Sequence, residues 1–242
     1  MYGLTSGQWK QIYHILDEHR DDIRWVKLFG SRARGDYRET SDIDLAIGCG
    51  RDLRSVLWGA FEQSKLPYTF DIVLYNNQVS KKLRDAIDAE GKLLFCIDEG
   101  RRVMTVERIR LKWEDFHRAL GRLQAALEKD ADSDDMYLDA TIQRFEFCFE
   151  LVWKLMKAVL EYDGIEANSP RGCIREGWKQ GLISNAEAWL EMMEKRNLSS
   201  HTYDENVARE IYHDVKERYA ALLESFDQTM NDWQSDTERK NT

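Results

Sequence analysis

Apolar and polar residues follow two different periods along this chain. Trp9, Ile12 and Leu16 are spaced at three and four residues, which predicts an opening helix capped by Thr5 or Ser6. Ile23–Phe29 (IRWVKLF) is a short β-rich run that stops at Gly30. Asp42–Gly48 (DIDLAIG) alternates acidic and aliphatic residues at period two, as a strand does. LRSVLWGAFEQ predicts a helix with Pro67 beyond its end, and Tyr68–Tyr75 (YTFDIVLY) predicts a strand. VSKKLRDAIDAEG predicts a helix closed by Gly91, followed by a last strand over Lys92–Ile97. After the opening helix the order is β–β–α–β–α–β, that of a small α/β domain with a mixed sheet.

Beyond residue 100 the period-two signal disappears, and four or five long helical patterns take its place. Asp135–Tyr162 is the most informative of them. Glu146, Glu150, Lys154, Lys157 and Glu161 form one narrow charged stripe, and Phe145, Phe149, Val152, Trp153, Met156 and Leu160 fill the rest. A helix apolar over most of its circumference belongs in the middle of a bundle. Trp178, Trp189, Met192 and Met193 read as further core. The expected fold is therefore α+β, with a mixed-sheet domain over 1–100 and an all-α bundle over 101–242. IDEGRR near Asp98–Arg102 is the expected hinge, and the polar tail after Trp233 is expected to fray.

Composition narrows the classes. The 242 residues suit two domains, and 43% hydrophobic with 33% charged residues is a globular composition. The net charge of -9 excludes a general nucleic-acid coat, but not a local basic pocket. Residues 1–100 hold 14 basic and 16 acidic side chains, so most of the negative charge lies in the helical half. Cys49, Cys96, Cys148 and Cys173 form no CxxC pair and read as reduced thiols of a cytoplasmic protein. The N-terminal stretch lacks the pattern of a signal peptide, and no run of about 18 apolar residues suggests a membrane span.

Candidate chemistry starts at Gly30-Ser31, directly after the first strand. Ten residues separate Ser31 from Asp42, and Asp44 follows at period two, so both carboxylates face the same side. Two carboxylates so placed repel each other unless a cation lies between them. A hard ion such as Mg²⁺ prefers such oxygen ligands and leaves room for phosphate. Asp71 stands in an otherwise apolar strand, where a carboxylate is costly unless it joins the same metal site. Gly30 lets backbone approach a phosphate, Ser31 offers an N–H and a hydroxyl, and Arg32 and Arg34 add positive charge. A Gly-Ser pair alone is often a turn, and Asp-x-Asp alone is often a solvated strand face. Their order and spacing across alternating strands favour metal and phosphate.

LFGSRARGDYRETSDIDLAI resembles the signature of the DNA polymerase β-like nucleotidyltransferase superfamily, in its minimal, stand-alone branch. The resemblance spans about residues 5–98. It implies that Asp42 and Asp44 bind two Mg²⁺ ions, and that Asp71 ligates one and helps deprotonate an acceptor hydroxyl. Gly30 and Ser31 would hold the β- and γ-phosphates of a nucleoside triphosphate, most readily ATP. The implied reaction is in-line attack on the α-phosphate with pyrophosphate leaving.

A second constellation lies in MEKRNLSSHTYDE. Arg196 precedes His201 by five residues, a rotation of about 500° on an ideal helix, so the two share a groove only if the helix ends between them. Asn197 and the following Ser-Ser make such an ending natural. Read alone, Arg196 is a surface residue and His201 a cation at a helix C-terminus. SPRGCIREGWKQGLISNAEAWLEMMEKRNLSSHTYDE is similar to the HEPN superfamily, most closely the nucleotidyltransferase substrate-binding proteins, over about residues 103–230. That resemblance implies a homodimer, and in many HEPN proteins a metal-independent ribonuclease site. There His201 would serve acid–base catalysis and Arg196 would steady the charged phosphorane, with RNA as partner. In paired toxin–antitoxin systems of this kind the nucleotidyltransferase adenylylates the motif's tyrosine, here Tyr203. Both halves lie on one chain here, unlike the usual two-gene arrangement. Three functions follow: nucleotidyl transfer to a hydroxyl bound or supplied by the helical half; a ribonuclease regulated by adenylylation; or a non-catalytic helical module that dimerises the chain and shapes a cleft for a small acceptor.

Overall fold

The computed structural model describes residues 1–76, 78–129, 135–199 and 205–240. They form two compact units, Met1–Leu111 and Lys112–Thr242.

The first unit opens with α1 (Ser6–Glu18), β1 (Ile23–Phe29), the short α2 (Gly30–Arg34) and β2 (Ile43–Cys49). It continues through α3 (Arg54–Glu62), β3 (Phe70–Leu74), α4 (Lys81–Glu90), β4 (Lys92–Asp98) and β5 (Arg101–Arg102). Thr5 caps α1 reciprocally with Gln8: Gln8 N–H donates to Thr5 Oγ1 at 3.3 Å and Thr5 N–H donates to Gln8 Oε1 at 2.8 Å. The sheet order is β3-β2-β1-β4-β5. Only β2 and β3 run parallel, joined by the crossover through α3; the other neighbours are antiparallel.

Period-two alternation gives the sheet two unequal faces. Ile43, Leu45 and Ile47 of β2 enter the large core, with Trp9, Ile12 and Leu16 of α1 and Leu57 and Phe61 of α3. Ala46 belongs to the smaller cluster on the other face, with Phe29 and Ile87 of α4. Asp44 shares that second face at the end of the sheet. The expected hinge is instead a hairpin. Ile97 pairs with Arg102 and Asp98 with Arg101, while Glu99 and Gly100 both take positive φ (47° and 77°), as a two-residue hairpin turn requires.

The helix α5 (Val106–Leu127) crosses the division between the units. It is followed by α6 (Asp135–Tyr162), α7 (Pro170–Lys179), α8 (Ala186–Leu198) and α9 (Glu205–Asp214). A π-helical turn over Val215–Tyr219 then leads into α10 (Ala220–Lys240). Twelve residues of α6 are buried, Phe145, Phe149, Val152, Met156 and Leu160 among them, so it is the central helix its pattern predicts. Trp189, Met192 and Met193 are core, but Trp178 is 53% exposed. The tail expected to fray is helical to Lys240: Trp233 meets Tyr162 edge-on and Gln234 is buried, which anchors this turn of α10. The four cysteines are free thiols, and no described helix is long and apolar enough to cross a membrane.

Candidate functional site

Strand register assembles the first site. Asp44 pairs with Phe29 of β1 on one side and with Asp71 of β3 on the other. Gly30 and Ser31 follow Phe29 immediately, and Asp42 stands one residue before β2. Thus Gly30, Ser31, Asp42, Asp44 and Asp71, scattered over 42 residues of sequence, meet at one end of the sheet. Gly30 adopts φ +71°, and a methyl group on its Cα would lie 2.3 Å from Asp44 Oδ2. Only glycine lets the chain turn here in that conformation against the carboxylate.

Burial pushes the Asp44 carboxyl above its usual range, and the negative charges of Asp71 and then Asp42 push it further; Arg34 and Arg32 oppose the rise. Asp71 is exposed, whereas Asp44 is half-buried. The expected cost of a carboxylate in an apolar strand therefore falls on Asp44, not on Asp71.

Two further predicted residues behave differently from each other. Arg34 is exposed and pairs with Glu90 at 3.1 Å and Asp36 at 3.3 Å, partners a phosphate can displace. Arg32 is not available to a phosphate. Its side chain is wholly buried and donates to the carbonyl oxygens of Tyr2, Glu39, Ser41 and Asp42. The cause is local: α2 turns successive side chains by about 100° each, so Arg32 points inward where Arg34 points out.

The donor set suits a hard divalent cation. Besides burial, two neighbouring carboxylates, Asp71 and Asp42, raise the protonation tendency of Asp44, and a positive ion between them would remove that repulsion. Among the described residues no three His, Cys, Asp or Glu side chains already stand close enough to ligate one ion. Where bound, Mg²⁺ would be held by Asp42, Asp44 and Asp71.

The second constellation lies at the end of α8. This helix stops at Leu198, between Arg196 and His201, as the sequence predicts. Arg196 Nη2 pairs with Glu150 of α6 at 3.1 Å, and its Nε is buried with no partner among the described residues. Ser199 Oγ lies within hydrogen-bond reach of both the Glu146 carboxylate and the Arg196 carbonyl oxygen, the latter at 2.6 Å, and shares its one proton between them. Arg196, Ser199, Glu146, Asp139 and Gln143 line a groove of about 730 Å³. Glu146 and Glu150 look in the sequence like part of a solvated stripe; a stripe pattern does not reveal which neighbouring helix supplies their partners. His201 and Tyr203 lie outside the described residues.

Comparison with known proteins agrees with both halves. Residues 111–232 match the family described as nucleotidyltransferase substrate binding protein like, and residues 10–100 match the polymerase beta nucleotidyltransferase family. The chain belongs to the substrate-binding-protein-like family, and carries a polymerase-β-type nucleotidyltransferase domain ahead of that region. It is 35% identical over 83 residues to a Haemophilus influenzae protein named Probable ribonuclease HepT; the match covers 32% of this chain and 57% of that protein's length. A solved structure from Thermus thermophilus is 37% identical, covering 46% of this chain and 94% of that one at a TM-score of 0.42. The solved H. influenzae protein HI0074, described as having the fold of a substrate binding domain of a nucleotidyltransferase, is 22% identical. That match covers 52% of this chain and 98% of HI0074, at a TM-score of 0.40.

Proposed function

We propose that the chain is a Mg²⁺-dependent nucleotidyltransferase that moves a nucleoside monophosphate, AMP in the first instance, from the triphosphate to a hydroxyl. One observation carries this reading: the Gly30-Ser31 turn directly follows Phe29, which pairs with Asp44, and Asp44 pairs in turn with Asp71, all at one end of the sheet. Gly30 and Ser31 take the β- and γ-phosphates, and Arg34 exchanges its carboxylate partners for phosphate oxygens. Asp42, Asp44 and Asp71 would hold Mg²⁺, and Asp71 would also accept the proton of the acceptor hydroxyl. The hydroxyl oxygen forms its bond to the α-phosphorus as the bond to pyrophosphate breaks, and pyrophosphate departs with the electron pair. Bound Mg²⁺ supplies charge neutralisation at the attacking and leaving oxygens. Incubating the full chain with labelled ATP and Mg²⁺, then locating the label by mass spectrometry, tests the reading. Transfer to protein or to an added hydroxyl acceptor supports it, and no Mg²⁺-dependent consumption of any NTP rejects it.

The helical half binds or supplies the acceptor, and it pairs two chains into a homodimer. A second reading, ribonuclease activity at Arg196 and His201, draws on the likeness to Probable ribonuclease HepT and on the placement of Arg196 in a groove. The carboxylates of Asp139 and Glu146 beside Arg196 repel a phosphodiester, which ranks this reading second. The free thiols suit a cytoplasmic site of action.

A further inference from the structure

We propose that Arg32 is a positioning residue for Asp42, holding the metal-ligating carboxylate through the backbone that carries it. The proposal rests on the metal reading of Asp42 given above.

Arg32 lies one residue beyond Ser31, yet its guanidinium reaches the other side of the site. Nε donates to the carbonyl oxygens of Ser41 and Asp42, both at 3.1 Å. Nη2 donates to Ser41 O at 2.7 Å and Glu39 O at 3.3 Å, and Nη1 to Tyr2 O at 2.9 Å. The rings of Tyr68 and Tyr37 pack over it, 4.6 and 5.4 Å from the guanidinium carbon. A buried cation is costly unless its donors are satisfied, and here carbonyl dipoles and ring faces satisfy them. The residue is 0% exposed.

Asp42 needs such a clamp because it stands outside the ladder, preceding the first paired residue of β2. On its C-terminal side the chain is fixed by Ile43 N–H donating to Thr69 O at 2.9 Å. On its N-terminal side the holding contacts are those of Arg32, together with the small turn in which Ser41 N–H donates to Arg38 O at 3.0 Å. The same side chain thus ties the helix of the Gly-Ser turn to the segment presenting Asp42, so that phosphate and metal ligands keep one spacing. Lysine could not replace it: an ammonium offers a point charge where four carbonyls require a planar fork.

The test is Mn²⁺ binding to the full chain by electron paramagnetic resonance, in wild type, Arg32→Lys, Asp42→Asn and the double variant. Loss of an outer partner typically weakens metal binding by roughly 10–100-fold. We expect that loss in Arg32→Lys, and no additional loss when it is combined with Asp42→Asn, because Arg32 acts through Asp42. Tyr37→Leu removes one ring but leaves every donor of Arg32 in place, and is expected to weaken Mn²⁺ binding by about threefold; it serves if Arg32→Lys does not fold. Unchanged affinity in Arg32→Lys, or in Tyr37→Leu where that variant stands in, overturns the proposal while Asp42→Asn still loses Mn²⁺. Fully additive losses in the double variant overturn it as well. Unchanged affinity in Asp42→Asn instead overturns the metal reading, and this proposal with it.

Discussion

Gly30 and Asp44 are in contact across two strands: a methyl group on the Gly30 Cα would lie 2.3 Å from the Asp44 Oδ2. The turn that is to hold phosphate and the carboxylate that is to hold metal are therefore mechanically one unit. Gly30→Ala has two effects. Its φ of +71° costs a non-glycine residue about 1–2 kcal/mol, and its methyl group pushes the Asp44 carboxylate aside. We expect a fold destabilised by about that amount in urea titration, and a loss of nucleotidyl transfer of at least about tenfold. Wild-type transfer in Gly30→Ala would show that the contact has no part in the reaction.

Asp44→Asn separates stability from chemistry. The Asp44 carboxyl is held above its usual range in the folded protein by burial, Asp71 and Asp42. The folded state therefore keeps its proton to higher pH than the unfolded chain does. The stabilisation from that proton is complete below the unfolded value of about 3.9 and is lost as pH rises through the raised folded value. At neutral pH the ionised side chain works against the fold, and asparagine removes that opposition. We expect Asp44→Asn to melt above wild type at pH 7, with the gap closing as the pH is lowered into the carboxylate range. Mg²⁺ should raise the melting temperature of wild type more than that of the variant. Transfer should fall on the order of 10³-fold. A variant that melts below wild type at pH 7 contradicts the electrostatic account.

The strands and the long helices were legible because a period of two or 3.6 is written into residue type, and the Gly-Ser and Asp-x-Asp elements because their chemistry is. The difference between Arg32 and Arg34 was not. Two arginines two positions apart look alike in sequence, and only closure of the Tyr37–Asp42 segment over Arg32 makes it a structural cation. The hairpin at Asp98–Arg101 escaped because its turn puts Glu99, rather than the usual asparagine or glycine, at positive φ. The polar end of α10 escaped for a related reason. Its composition is that of a tail, and what anchors it is the packing of Trp233 against Tyr162, a residue 71 positions earlier.

On α6, Met136, Ala140, Gln143 and Phe147 recur at four, three and four residues along one side, with Met136 62% and Phe147 58% exposed. Asp139, Glu146 and Arg196 line a groove along one flank of this stripe, and Arg122 and Arg144 line a second hollow with Gln143 and Phe147. A two-fold axis near Gln143 would set this stripe against its own copy, an isologous contact that covers the exposed Met136 and Phe147 side chains. We expect light scattering to report a dimer at micromolar concentration. Phe147→Glu should weaken it by at least about 30-fold, as loss of a central aromatic anchor does. A monomeric wild type would remove the dimer.

Tyr203 is the acceptor we expect the nucleotidyltransferase domain to modify, within the chain or across the dimer. A phenol has a pKa of about 10, so at neutral pH it is a weak nucleophile and needs a base at the moment of attack. Asp71 suits that role, being exposed and in register with Asp44, the carboxylate proposed to hold metal. Carrying donor site and acceptor on one chain replaces a bimolecular encounter by an effective concentration that reaches about millimolar for a short linker. Peptide mapping after reaction with ATP and Mg²⁺ should therefore find a mass addition equal to AMP on the peptide holding His201 and Tyr203, absent in Tyr203→Phe. Mixing Asp44→Asn chains with Tyr203→Phe chains distinguishes the two routes. If the partner supplies the tyrosine, mixed dimers regain label on the Asp44→Asn chain, whereas transfer confined to one chain leaves both unlabelled. Transfer to an added hydroxyl compound with Tyr203 unmodified throughout would reject the tyrosine as acceptor, and would leave the helical half as the binding platform for that compound.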